Sequence, residues 1–172
     1  RDENYEFGSF TQSKMFHQGV KCSNCHNPHT GKIAFEGNKL CLQCHQPRYD
    51  SPQHYFHAEN SEASKCVNCH MPSRTYMGAD VRRDHSFRIP RPDQSVKYKT
   101  PNACTQCHTG KKDQWAADAI VKWYGPERKH NYTDELLPGS LLDQNSFVHL
   151  NKLLRDTSVT ATIRATAINY LG

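Results

Sequence analysis

Four times in this chain, two cysteines stand three positions apart and a histidine directly follows the second. The runs are Cys22-Ser-Asn-Cys25-His26, Cys41-Leu-Gln-Cys44-His45, Cys66-Val-Asn-Cys69-His70 and Cys104-Thr-Gln-Cys107-His108. They use all eight cysteines of the 172 residues. A disulfide framework has no use for a histidine recurring at the same place. Structural zinc needs paired knuckles and no histidine at that position, and a redox dithiol uses one C-x-x-C rather than four. The pattern C-x-x-C-H attaches c-type haem. One helical turn brings both sulfurs to one porphyrin edge and aims the adjacent imidazole at the iron. The expectation is four c-type haems (Fe). Thioether bonds would come from Cys22, Cys25, Cys41, Cys44, Cys66, Cys69, Cys104 and Cys107. The proximal ligands would be His26, His45, His70 and His108.

This reading explains a thin apolar inventory. Only 35% of the residues are hydrophobic and the mean hydropathy is −0.87, little for a core at this length. Shared among four motifs, 172 residues give 43 each, so the cofactors would form most of the core. Without them, side-chain burial would hardly offset chain entropy. The formal charge of +5 falls to about +1 once four ferric haems contribute about −1 each, so it argues weakly for any partner. Lys and Arg are scattered, which speaks against nucleic acid. No stretch has the ~20 apolar residues of a membrane span. No leader or initiating Met is visible, which reads as a mature or trimmed form.

Seven histidines lie outside the motifs: His17, His29, His54, His57, His85, His130 and His149, against three methionines, Met15, Met71 and Met77. This surplus of imidazole favours bis-His iron at low potential. His17, His29, His57 and His85 are the expected distal ligands, with His54 in reserve beside His57 in "QHYFH". His29 follows its motif as C-x-x-C-H-x-P-H. It is too close to reach the far face of its own haem and is placed to reach a neighbouring one, the alternative being a turn-capping role beside Pro28. His130 and His149 lie far from any motif and read as surface residues. Five candidates for four positions leave one that is structural, or that serves a haem in another chain or segment.

Residues 1–110 form the expected tetrahaem domain: short helical turns around the motifs, loops such as "NPHTG", "QPRYDSPQ" and "RIPRPDQ", and little or no sheet. Residues 111–172 read as a helical extension. Trp115, Ala119, Ile120 and Trp123 share a face of one helix that stops at Gly125-Pro126. "SLLDQNSFVHLNKLLRD" and "SVTATIRATAINYLG" read as two more, with Asp156 or Ser158 capping the last and Gly172 at its C-cap. The fold class is mostly α and irregular loop, organised around stacked haems.

The runs "MFHQGVKCSNCHNPHTG", "GNKLCLQCH", "KCVNCHMPSRTYM", "DHSFRIPRPD" and "TPNACTQCHTGKKDQWAADAIVKWYGP" resemble multihaem cytochromes of the c554/c-prime type with doubled C-x-x-C-H motifs. The likeness runs over about residues 8–126. It implies electron transfer through stacked bis-His haems and a continuation into TPR- or HEAT-like helices, to which "SVTATIRATAINYLG" is similar. Related chains carry further haem motifs upstream, and solenoids need several repeats. Those departures point to a piece of a longer protein or to a protomer that polymerises as extracellular cytochrome filaments do.

The leading expectation is an electron carrier rather than an enzyme. Its partners would be redox proteins and other copies of itself, with a haem ligand donated across the interface. Covalent haem attachment places it in the periplasm or outside the cell. The competing class is a nitrite- or hydroxylamine-type oxidoreductase with one open haem, for which Arg82, Arg83 and Tyr76 could be cast as proton-delivery residues, as could any surface patch.

Overall fold

The computed structural model describes residues 5–172 and divides into two compact units, one ending at Gly125 and one spanning Pro126–Gly172. The protein is mostly helix and loop, with one small two-stranded sheet among the described residues. No helix among them is long and apolar enough to cross a membrane.

The first unit is a string of short elements. Helices α1 (Glu6–Phe10) and α2 (Lys14–His17) lead in, and Ser13 caps α2 by accepting from the Phe16 N–H at 3.1 Å. The first motif opens a 3₁₀ turn, Cys22–Asn24, and the second lies on α3 (Lys39–Leu42). Helix α4 (Pro52–Tyr55) starts at a proline, which suits a first-turn position because no N–H is needed there. The third motif is helix α5 (Cys66–His70). The hairpin of β1 (Ser73–Tyr76) and β2 (Asp80–Arg83) follows, antiparallel, with Ser73 opposite Arg83 and Tyr76 opposite Asp80. Its turn runs through Met77 and Gly78, both at positive φ (51° and 72°), which matches the twist of the strands. Helices α6 (Pro92–Tyr98), α7 (Ala103–Cys107, the fourth motif) and α8 (Asp113–Tyr124) complete the unit.

Helix α8 packs on α6, so the first unit takes in a helix that the sequence places beyond residue 110. Its most buried residues are Ala116 (0% exposed) and Ala117, rather than the larger side chains expected to define its inner face. Alanine lets the two backbones approach, and Trp115 and Trp123 stay half-buried beside the motif histidines.

Among the described residues of this unit, few apolar side chains are buried: Phe10, Met71, Pro92, Ala116 and Ala117. Phe16, Ile33, Phe35, Tyr49, Phe56 and Ile89 are exposed around the motifs. A unit of this length held by side chains alone would bury far more.

The second unit has an ordinary side-chain core. Helices α9 (Thr133–Gly139), α10 (Ser146–Arg155) and α11 (Ala161–Leu171) enclose Leu150, Leu153, Ile163 and Ala167, flanked by Tyr132, Leu136, Leu154 and Val159. Helix α9 is not among the expected helices, and Pro138 and Gly139 are residues that usually break one. They end the helix instead. The expected helix from Ser140 starts only at Ser146, since Asp143 and Ser146 form a turn in which the Asp143 N–H donates to Ser146 Oγ at 2.7 Å. Neither Asp156 nor Ser158 caps α11. Asp156 Oδ1 accepts from the Ser158 N–H (2.9 Å) and hydroxyl (2.6 Å), and the helix starts after Thr160. Gly172 does stand at its C-cap.

Candidate functional site

Each motif forms one tight turn. The N–H of the motif histidine donates to the carbonyl of the first cysteine in three of them: His26 to Cys22 (2.8 Å), His45 to Cys41 (3.0 Å) and His108 to Cys104 (2.9 Å). This local geometry follows from the spacing itself. None of the eight cysteines pairs with another in a disulfide.

Distant residues hold the motifs in place. Asn38 Oδ1 accepts from the N–H of Cys66 at 2.9 Å, capping α5 from across the fold. Its amide nitrogen donates to Asp50 Oδ1 (2.6 Å) and to the Ser64 carbonyl (2.9 Å). At the other end of α5, the Arg83 guanidinium donates to the carbonyls of Val67 (3.2 Å) and Met71 (3.1 Å) and to Asn68 Oδ1 (2.9 Å). Asn102 caps α7 through the Thr105 N–H at 3.1 Å and ties it to Asp113 of α8 at 2.8 Å. The roles of Asn38 and Arg83 leave no local pattern in the sequence, because each acts on a helix far along the chain. Arg82 and Arg83 are both engaged: Arg83 in that cap, Arg82 with Asp80 at 2.6 Å and Glu6 at 3.4 Å.

Three motif histidines each face a second imidazole. His26 faces His85 with ring centroids 6.3 Å apart, His70 faces His54 at 6.2 Å, and His108 faces His57 at 6.1 Å. The interplanar angles are 28°, 6° and 34°. Two imidazoles on opposite sides of one iron have axial bonds of about 2 Å and ring nitrogens about 1 Å from their ring centres, so their centroids stand about 6 Å apart. Both histidines of "QHYFH" thus lie opposite a motif histidine, each a different one. His45 has Tyr49 at 6.2 Å rather than an imidazole, and His17 contacts Phe16 at 5.5 Å. In the His29 segment, the His29 N–H donates to Asn27 Oδ1 at 3.0 Å. Neither His17 nor His29 makes a facing pair among the described residues.

Hydrogen bonds select the ligating tautomer. Nδ1 meets a backbone carbonyl in His26 (Gly31, 3.0 Å), His70 (Arg88, 2.9 Å), His57 (Tyr55, 2.5 Å) and His85 (Arg83, 2.9 Å). A carbonyl only accepts, so Nδ1 carries the hydrogen and the Nε2 lone pair is left for a metal. Burial, reinforced by the neighbouring His70, holds His54 below the usual imidazole range and hence neutral.

The thiols place the motifs relative to one another. A hydrogen bond between Cys66 and Cys41 pushes the Cys66 thiol up and holds Cys41 down at about 7. Burial, followed by the nearby Cys41 and Cys44, raises Cys25. Burial, followed by Cys107, raises Cys69, and Cys104 is raised by burial and then Cys69. Successive motifs also meet directly: Asn38, beside the second, caps α5 of the third, and α5 packs on α7 of the fourth.

The residues fit c-type haem. Each motif offers two thiols and an imidazole, three have a second imidazole at the separation one iron requires, and the surrounding apolar side chains lack a core of their own. His130 and His149 lie in the other unit. His130 Nε2 meets the buried carboxylate of Glu135 at 2.5 Å, which Lys152 also holds at 2.5 Å.

The family model of the doubled CXXCH motif matches residues 14–50. Among solved structures, the outer cell wall cytochrome OcwA is similar over 100% of this chain and 46% of its own length, at 13% identity and a TM-score of 0.45. The chain thus spans about half the length of that cytochrome. No curated protein matches. The doubled motif is the signature of covalently bound c-type haem, and with the facing imidazoles it gives this chain the features of a multihaem c-type cytochrome.

Proposed function

We propose that the chain is an electron-transfer module carrying four covalently bound c-type haems, one on each motif. The observation that carries this is the set of three facing imidazole pairs, each joining a motif histidine to a histidine elsewhere in the chain at 6.1–6.3 Å. The distal ligands are then His85 for the first motif, His54 for the third and His57 for the fourth. His17 and His29 are the candidates for the second, and one of them is free to serve a neighbouring chain. The haem supplies a one-electron couple. The protein sets its potential through axial ligands and burial, and bis-His ligation favours low values. The Asn38 cap between the second and third motifs and the packing of α5 on α7 support a row of haems in chain order.

On this reading the module works in the periplasm or at the cell exterior and exchanges electrons with redox proteins. Joined to copies of itself through a donated histidine, it would extend the row into a filament. The resemblance to the c554/c-prime type and the HEAT-like character of α10 and α11 belong to the same proposal.

One observation favours a second reading, an oxidoreductase with one open haem: His45 faces Tyr49 and not an imidazole. One experiment separates the two. Intact-mass analysis should show four haems per chain. The visible spectrum of the reduced protein should be unchanged by carbon monoxide if all four are six-coordinate. Fewer than four haems sinks the tetrahaem proposal. A shift of one haem equivalent, unaffected by His17→Ala or His29→Ala, selects the oxidoreductase.

A further inference from the structure

His54 and His57 are three residues apart yet face different motif histidines. In a continuous helix they would lie one above the other on one face. The chain avoids this at Phe56, which caps α4 in the left-handed region at φ 53°, ψ 34°. A bulky aromatic residue holds that conformation only where its surroundings impose it.

The surroundings are helix α8. The Phe56 ring lies flat on Trp123, with centroids 4.8 Å apart and planes within 2°. Trp123 presents its edge to His57 at 5.9 Å. The next residue, Tyr124, touches Phe56 at 5.5 Å and His54 at 6.3 Å, and its hydroxyl donates to the His54 carbonyl. Earlier on the same helix, Trp115 packs on His108 at 4.7 Å. One helix therefore touches both histidines of one facing pair and the non-motif histidine of another. Stacked aromatic pairs stabilise beyond their buried area, which opposes the cost of a left-handed non-glycine residue.

We propose that the Phe56–Trp123 stack is a positioning device: it holds the left-handed turn that sends His54 and His57 to two different haems, so that α8 fixes the axial ligation of both together. The inference rests on the reading of His54 and His57 as axial ligands.

The test uses the full haem-loaded chain. His54→Ala and His57→Ala examine the ligand reading, and each should open one haem to carbon monoxide. Trp123→Ala should create high-spin iron in the oxidised protein and raise carbon monoxide binding by up to two haem equivalents over wild type. Trp123→Phe, which keeps a ring to stack, should restore the low-spin spectrum. Phe56→Gly removes the ring from the stack and should likewise give high-spin iron relative to wild type, which keeps the test available if Trp123→Ala fails to mature. If the histidine variants each open one haem while Trp123→Ala and Phe56→Gly stay low-spin, the positioning role is wrong and the ligand reading stands. If the histidine variants open none, the ligand reading itself fails.

Discussion

Asn38 spans the second and third motifs with one side chain. It caps α5 at the Cys66 N–H and binds both Asp50 and the Ser64 carbonyl. Losing a half-buried amide of this kind leaves a helix N–H and a carbonyl without partners, at about 1–3 kcal/mol. Asn38→Ala is expected to lower the melting temperature of the holoprotein, whereas Asn38→Asp, which keeps the accepting oxygen, should recover part of the loss. Equal melting of Asn38→Ala and wild type would remove the residue from the motif scaffold. Asp93 carries a pH dependence of definite sign. Burial pushes its carboxyl up, but hydrogen bonds from Arg91 (2.7–3.0 Å) and backbone amides outweigh this and hold it below its usual 3.8. A depressed folded-state value gives stability that is complete above the unfolded value and lost as pH falls through the folded one. The melting-temperature gap between wild type and Asp93→Asn should therefore be constant near pH 6 and close as the pH falls below 3.8. A gap that widens in acid would reverse the assignment.

Among the helices, the close approach of α9 and α10 depends on Gly139. A Cβ there would stand 2.5 Å from Leu150 Cδ2 and 2.7 Å from its Cγ, and Leu150 is itself 1% exposed. Leu150 has no free space to move into, so Gly139→Ala should cost about 1–3 kcal/mol by overpacking. The loss should appear as earlier melting of the second unit's helical circular dichroism, with the haem absorbance unchanged. Unaltered helix melting would mean that the two helices separate at little cost. The same unit carries a buried acid that no sequence pattern announced: Glu135, 4% exposed, held between His130 and Lys152. His130 was legible as a residue remote from the haem motifs. Its partner was not, because the three residues meet only when α9 packs on α10.

For the molecule as a whole, the two units differ in what holds them together. Pro126–Gly172 encloses Leu150, Leu153, Ile163 and Ala167, an apolar cluster of the usual kind. Among its described residues, the unit ending at Gly125 buries only Phe10, Met71, Pro92 and two alanines of its apolar side chains. Conformational entropy costs about 1–2 kcal/mol per residue, so the first unit depends on its cofactors for apolar burial. A chain produced without haem attachment should be digested rapidly by protease within residues 5–125, and the holoprotein should resist. Equal resistance of both forms would show that side chains alone suffice.

The thin composition was visible in the sequence, and so were the four C-x-x-C-H turns, because each is contained in one turn of chain. Local spacing dictates local geometry. Only the tertiary structure decided which second histidine meets which motif. His85 comes after the third motif and faces His26 of the first, while His54 and His57, three residues apart, part to His70 and His108. Those pairings depend on where Asn38, Arg83 and α8 hold distant segments and on a left-handed Phe56. They are long-range contacts selected by packing, and no spacing along the chain encodes them.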